Sequence, residues 1–281
     1  MPLADEIDYP SRGDDAVKTI LIGGALVLAP SVVSIVALLL MVTFILAPVG
    51  LLLLPFALVP QLLTQGYLVR VMDDTLGGGA APPEWRDWSG IAVDGLKLLA
   101  VGLIYVVPVF LGFLIVGTVI LAGTSLGAGI GGEGGGVVTG LSVVLTLVLS
   151  LVFVVLTLVV GYVLPIGVCG WLHDDSLGGA FDVDRIRAVA TTREYAFAWG
   201  AGVLTRLVGG GVAQVLFFVL VGFPLLFVAQ VLAFRFFARG YADALDIDID
   251  PQAASPPASD VTETSDPDPL APETRGTERS K

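Results

Sequence analysis

A chain of 281 residues with 55% hydrophobic residues, only 14% charged residues and a mean hydropathy of +0.90 is too apolar for a water-soluble domain. Its net charge of −12 comes mainly from acidic residues at the two ends and in the polar stretches, which marks solvated surface and offers no basic face to a nucleic acid. The lone Cys169 excludes a disulfide framework or a multi-cysteine metal site. Lysine is confined to Lys18, Lys97 and Lys281, and an acidic, lysine-poor surface suits a protein hydrated in high salt, so a halophilic source is expected.

In chain order, residues 1–18 form an amino-terminal segment whose Asp5, Glu6, Asp8, Asp14 and Asp15 make it acidic where a secretory signal is basic, so the first apolar run is read as a retained anchor. About 20 apolar residues cross a hydrocarbon layer of ~30 Å. On that measure residues 20–67 hold two spans, 20–45 and 49–67, with the reversal at Pro48 and Gly50. A third span is expected over 96–122 and a fourth over 137–168, joined by a glycine-rich flexible connector at 123–136. Residues 196–242 hold the last two, reversing at Gly222 and Pro224. The fold class is therefore an all-α integral membrane protein, with a six-span membrane domain over 19–245. The segment 246–281 is a Pro, Ser, Thr and acid-rich tail too poor in apolar surface to fold.

One phrase occurs twice: Asp73-Asp74-Thr75-Leu76-Gly77-Gly78 and Asp174-Asp175-Ser176-Leu177-Gly178-Gly179. Each follows an apolar run ending in glycine and an aromatic, Gly66-Tyr67 and Gly170-Trp171, with Gly240-Tyr241 as a fainter third copy; the glycine suits close helix approach or a turn, and the aromatic ring is expected at the membrane interface. The six spans are accordingly expected as repeated helical hairpins. The polar loops at 80–88 and 181–187 are expected along the membrane surface, with Trp85 and Trp88 in the headgroup layer and a capping-box spacing from Thr191 to Glu194 before the fifth span.

Thirteen of the fourteen cations, all except Arg206, fall in alternate loops or at the span ends facing them. The positive-inside bias then puts both termini and both long loops in the cytoplasm of a multi-pass cell-membrane protein. The partners expected are the lipid bilayer and a protein docking on the cytoplasmic loops.

The order of six spans, Gly66-Tyr67, the first Asp-Asp phrase, Pro82-Pro83-Glu84-Trp85-Arg86-Asp87-Trp88 and Asp94-Gly95-Leu96-Lys97 together resemble an archaeal multi-pass membrane family known as domain of unknown function 4013. The resemblance runs over about residues 14–247. It implies the fold and a haloarchaeal source, and it carries no activity and no catalytic residue.

Candidate chemistry is sparse. His173, the sole histidine, adjoins Asp174 and Asp175, but neighbours on a helix point in different directions and do not surround an ion. If the repeats faced one another, Asp73, Asp74, Asp174 and Asp175 would converge on a hard cation; the simpler reading is that they mark where helices emerge into water. The glycine run at 127–136 lacks the Gly-Lys-Ser/Thr ending of a phosphate loop. No nucleophile has a partner base, so no enzyme activity, cofactor or metal is expected. Arg206 is the one ionisable side chain set well inside an apolar run, and it either snorkels to the headgroups or faces a bundle interior. Gln61, Gln65, Gln214 and Gln230 are the other strongly polar groups in the spans, suited to bridging helices or lining a solute path. Two functions follow: a membrane scaffold or organising role, favoured by the absence of reactive motifs, and a permease-like role with a path near Arg206, favoured by the proline-interrupted spans.

The topology predicts that a cysteine placed at Gly132 reacts with an impermeant reagent added to intact cells, while cysteines at Ser89 and Ser265 are spared. Labelling at Ser89 contradicts it.

Overall fold

The computed structural model describes residues 8–13, 15–247 and 249. Among them are six helices long and apolar enough to cross a membrane, and no strand. In a bilayer every backbone N–H and C=O must be satisfied within the protein, and a helix does this for each span by itself.

The first span is α1 (Ala16–Val42), which runs through Pro30. The second is broken: α2 (Ala47–Leu53) has Pro48 in its first turn, a 3-10 turn follows over Leu54–Ala57 with Pro55 in its first turn, and α3 (Leu58–Leu76) completes the crossing. Proline has no N–H to give to the preceding turn, which explains the local tightening. The crossing ends at Leu76, not at Tyr67, so the first Asp-Asp phrase is helical.

The third and fourth spans, α4 (Trp88–Ile130) and α5 (Gly132–Asp174), have 43 residues each and are about 65 Å long. The expected flexible connector at 123–136 is instead almost wholly helical. The chain reverses at Gly131 and Gly132 alone, whose φ values of 64° and 57° favour glycine. The glycines on either side serve packing. A Cβ on Gly123 would strike Ser142, and one on Gly127 would strike Thr139 and the Gly135 carbonyl, so the two helices approach closely along this stripe. Helices of this length exceed the hydrocarbon layer roughly twofold, and their shared Gly, Ala, Ser and Thr-rich end forms a helical tip.

After α5 a 3-10 turn (Leu177–Phe181) folds back on its last turns, and the short α6 (Val183–Ala190) follows, capped by Asp182, whose side chain accepts from the Arg185 N–H at 3.1 Å. The fifth span, α7 (Arg193–Leu216), is capped by Thr192 and not by Thr191: the Thr192 hydroxyl accepts from Tyr195 N–H at 3.3 Å, while Thr191 donates to Arg187 C=O at 3.0 Å. The sixth is α8 (Gly222–Ala244).

α8 is the central helix. Of its most apolar window 56% is buried, against at most 11% for any other span. α1, α3, α5 and α7 all pack on it, and α4 packs on α3 and α5, so contacts run well beyond pairs consecutive in the chain. Glycines set these approaches: Gly23 lies against the Phe227 ring, Gly24 against Pro224, Gly202 against Phe237 and Gly209 against Ala229. The three Gly-aromatic endings follow the same logic. Gly66 abuts the Ile91 carbonyl, Gly170 the Gly179 carbonyl and Gly240 the Ala198 methyl, while Tyr67, Trp171 and Tyr241 are buried and not held at a membrane interface. Trp85 likewise departs from the expected headgroup position. It stacks on Tyr67 at 4.1 Å between ring centres and donates its indole N–H to Thr19 C=O at 3.3 Å, whereas Trp88 is 45% exposed.

A side chain on Gly66 has no room among the backbone atoms of α4. Gly66→Leu is therefore expected to cost about 1–3 kcal/mol or more through overpacking. Gly102→Ala, whose Cβ would meet nothing within 4 Å, is expected to leave stability unchanged. Thermal unfolding of the two purified variants in one detergent measures the difference.

Candidate functional site

Arg235 and Arg206 both lie within apolar helices, and the structure treats them oppositely. Arg235, on α8 between Phe234 and Phe236, is only 2% exposed. The amino-terminal turn covers it: the Tyr9 ring lies 3.6 Å from the guanidinium carbon, and Arg235 Nη1 donates to Gly79 C=O at 3.2 Å. Asp74 is close enough to attract the guanidinium and accepts from the Tyr9 hydroxyl at 3.5 Å. A buried charge needs such company, because desolvation costs more than a single contact returns. Burial, reinforced by the Asp74 carboxylate, pushes the Tyr9 phenol well above the ordinary tyrosine range. Sequence reasoning missed this cluster by counting Arg235 among the thirteen cations in alternate loops or at span ends. Its position inside the apolar run 223–237 is the signal that singles out Arg206.

One aspartate of each repeat is engaged by an arginine. Asp74 faces Arg235, and Asp174 accepts from Arg185 Nη1 at 2.9 Å, which also donates to Gly170 C=O at 3.3 Å. Arg70 joins the second span to the first loop, donating to Asp94 at 3.1 Å and to Asp87 at 3.0 Å. Hydrogen bonds from Ser89, from the Gly90 N–H and from Arg70 hold the Asp87 carboxyl below the usual carboxylate range. Among the described residues no group of three or more His, Cys, Asp or Glu is placed to hold a metal ion.

Arg206 faces a cavity. It is the fourteenth residue of α7, about 20 Å from Arg193 and as far from Val219, near the middle of its span. The cavity measures about 790 Å³ and lies between α3, α4, α5, α7 and α8. Gln61 and Gln65, one turn apart on α3, line it together with Arg206, and Gln214 and Gln230 do not. Its inner wall is buried apolar surface from Met72, Val168 and Phe237. Its rim carries exposed apolar side chains, among them Leu58, Leu103, Leu158 and Leu207, so the mouth opens sideways, where lipid would lie. Arg206 is exposed and has no hydrogen bond or ion pair among the described residues, and no carboxylate lines the cavity. Polar groups on the wall with partners of their own include Thr157, which donates to Phe153 C=O, and Trp199, whose indole N–H donates to Gly161 C=O.

Two glycines make the space. Gly102 on α4 and Gly161 on α5 both line the cavity, and a Cβ on either would meet nothing within 4 Å. Unlike Gly66 or Gly127, neither permits a close helix approach; each leaves volume unfilled. This chemistry can hold an apolar body and present it with a cation and two carboxamides. It offers no nucleophile with a base.

A family model described as Protein of unknown function (DUF4013) matches residues 49–222, more than half of the chain. The chain belongs to this family. The matched stretch is narrower than the 14–247 of the sequence resemblance. It takes in α2 to α7 and hence Gln61, Gln65, Gly102, Gly161 and Arg206, and it leaves out Tyr9 and Arg235. No curated protein and no solved structure matches the chain.

Removing the ring over Arg235 in Tyr9→Ala is expected to cost about 3–5 kcal/mol, the size of a large buried aromatic deletion. Tyr9→Phe keeps the stacking and loses the hydroxyl's contacts with Asp74, Arg235 and Thr75, so its cost is expected to be about 1 kcal/mol, well below that of Tyr9→Ala. Because folding favours the neutral Tyr9 phenol, its contribution is complete below about pH 10 and declines as the pH rises beyond it. Unfolding followed by tryptophan fluorescence should show a smaller alkaline loss for Tyr9→Phe than for the unaltered chain.

Proposed function

We propose that this member of the DUF4013 family is a permease-like membrane protein that admits an amphipathic solute from the bilayer into the cavity between α3, α4, α5, α7 and α8, without enzymatic chemistry. The observation that carries this reading is Arg206 at mid-depth, facing an open cavity that contains no carboxylate. At about 20 Å from either end of its span, the guanidinium is beyond the few ångströms that snorkelling provides. A charge at that depth commonly marks a path or a binding site. The glycines at 102 and 161 and the break at Pro55 support it, since interrupted helices line sites near the midplane of transporters. We place the two polar loops and the termini on the cytoplasmic side by the distribution of cations.

A scaffold needs no such cavity, and filling the space separates the two readings. A neutral single-chain alcohol carrying a diazirine is expected to crosslink to cavity residues of the full chain in zwitterionic nanodiscs. Gly102→Leu and Gly161→Leu are expected to abolish that crosslinking at unchanged thermal stability. Equal crosslinking in all three proteins contradicts an occupied cavity and leaves the scaffold role.

A further inference from the structure

The lining of the cavity also specifies the charge of its occupant, an inference that rests on the reading above. Among the described residues, the only ionisable side chain on the wall is Arg206, and a guanidinium stays protonated in proteins. It therefore brings one positive charge, and no acid among the described residues lines the cavity to offset it. Gln61 and Gln65 stand at i and i+4 on α3, on one face of the helix, and each adds amide N–H donors. Because the Thr157 hydroxyl and the Trp199 indole N–H already donate to backbone carbonyls, the donors left for a guest are the guanidinium and the two carboxamides. Against this polar end stand Leu98, Leu164, Val203 and Phe234, a wall for a hydrocarbon body.

We propose that the cavity takes a monoanionic amphiphile, an apolar chain bearing one carboxylate-like negative charge that pairs with Arg206 and is held by Gln61 and Gln65. Charge counting ranks the alternatives lower. A neutral headgroup leaves the guanidinium uncompensated in apolar surroundings, a cationic one is repelled, and a dianion carries one charge more than the wall can neutralise. The planar guanidinium fork matches a carboxylate with two parallel hydrogen bonds. A volume of about 790 Å³ falls in the range of sites for single small ligands.

The test compares radiolabelled hexadecanoate, hexadecanol and hexadecyl phosphate for binding to the full chain in zwitterionic nanodiscs, at alkaline pH where the carboxyl group is ionised. Hexadecanoate is expected to bind about tenfold or more tighter than hexadecanol, the size of one charge-assisted hydrogen bond. Arg206→Gln should bring the two within about twofold, Arg206→Lys should retain part of the preference, and Gln65→Leu should weaken hexadecanoate while leaving hexadecanol unchanged. Equal affinity for acid and alcohol in the unaltered chain, or a preference that survives Arg206→Gln, overturns the assignment of charge. Tighter binding of the dianionic phosphate overturns the count of one. In both cases the cavity reading stands if Gly102→Leu removes all binding, whereas no binding of any probe overturns both. Repeating the measurement in nanodiscs containing an anionic phosphodiester lipid distinguishes the sources of the charge. Displacement of hexadecanoate there supports the monoanionic class and identifies a bilayer lipid as the occupant, and no displacement supports a free long-chain acid.

Discussion

Apolar helices in a bilayer gain little from leaving lipid for one another, since lipid tails are as apolar as leucine, and what brings them together is close backbone approach. This bundle depends on glycine for that approach. Gly23 and Gly24 let α1 close on Phe227 and Pro224, Gly66 and Gly95 let α3 and α4 touch backbone to backbone, and Gly202 and Gly209 seat α7 against α8. The long pair α4 and α5 is joined by the stripe from Gly123 to Gly127. Each of these positions leaves no room for a methyl group. Where a glycine faces open space, as at 102 and 161, the same residue type produces the opposite result, an unfilled volume.

Arg235 and Arg206 show what happens to a charge in each setting. Arg235 lies in the closed part of the bundle and is covered by Tyr9, the Gly79 carbonyl and the field of Asp74. The amino-terminal turn thereby becomes a structural part of the membrane domain, with its Tyr9 and Pro10 buried and Tyr9 in one apolar cluster with Tyr67 of α3. Arg206 lies in the open part, where no other described residue compensates it. The contrast makes the first a structural residue and the second a candidate for ligand recognition.

The departures from the sequence reading share a cause. The glycine-rich stretch 123–136 was expected to be a flexible connector because glycine weakens helices in water, but in an apolar surround an unwound backbone would leave its polar groups unpaired, and close packing rewards the missing side chains. Trp85, Tyr67, Trp171 and Tyr241 were placed at an interface because their rings are half polar. Neighbouring helices instead enclose them, and two of these polar atoms find backbone partners: the Trp85 indole N–H with Thr19 C=O, and the Tyr67 hydroxyl with Pro83 C=O at 2.9 Å.

Sequence alone determined the class, the number of crossings and the family, because each span must satisfy its own hydrogen bonds and so announces itself as a continuous apolar run. It also singled out Arg206, Gln61 and Gln65, since polar groups in such runs are costly and therefore conspicuous. Tertiary structure decided that these three share one cavity while Gln214 and Gln230 lie apart from it, and that Arg235 belongs to a sealed cluster with Tyr9. Those outcomes depend on which helix faces which. That choice is made by the pairing of glycines with the bulky or backbone atoms they admit, a relation between segments far apart in the chain that no local pattern of hydropathy encodes.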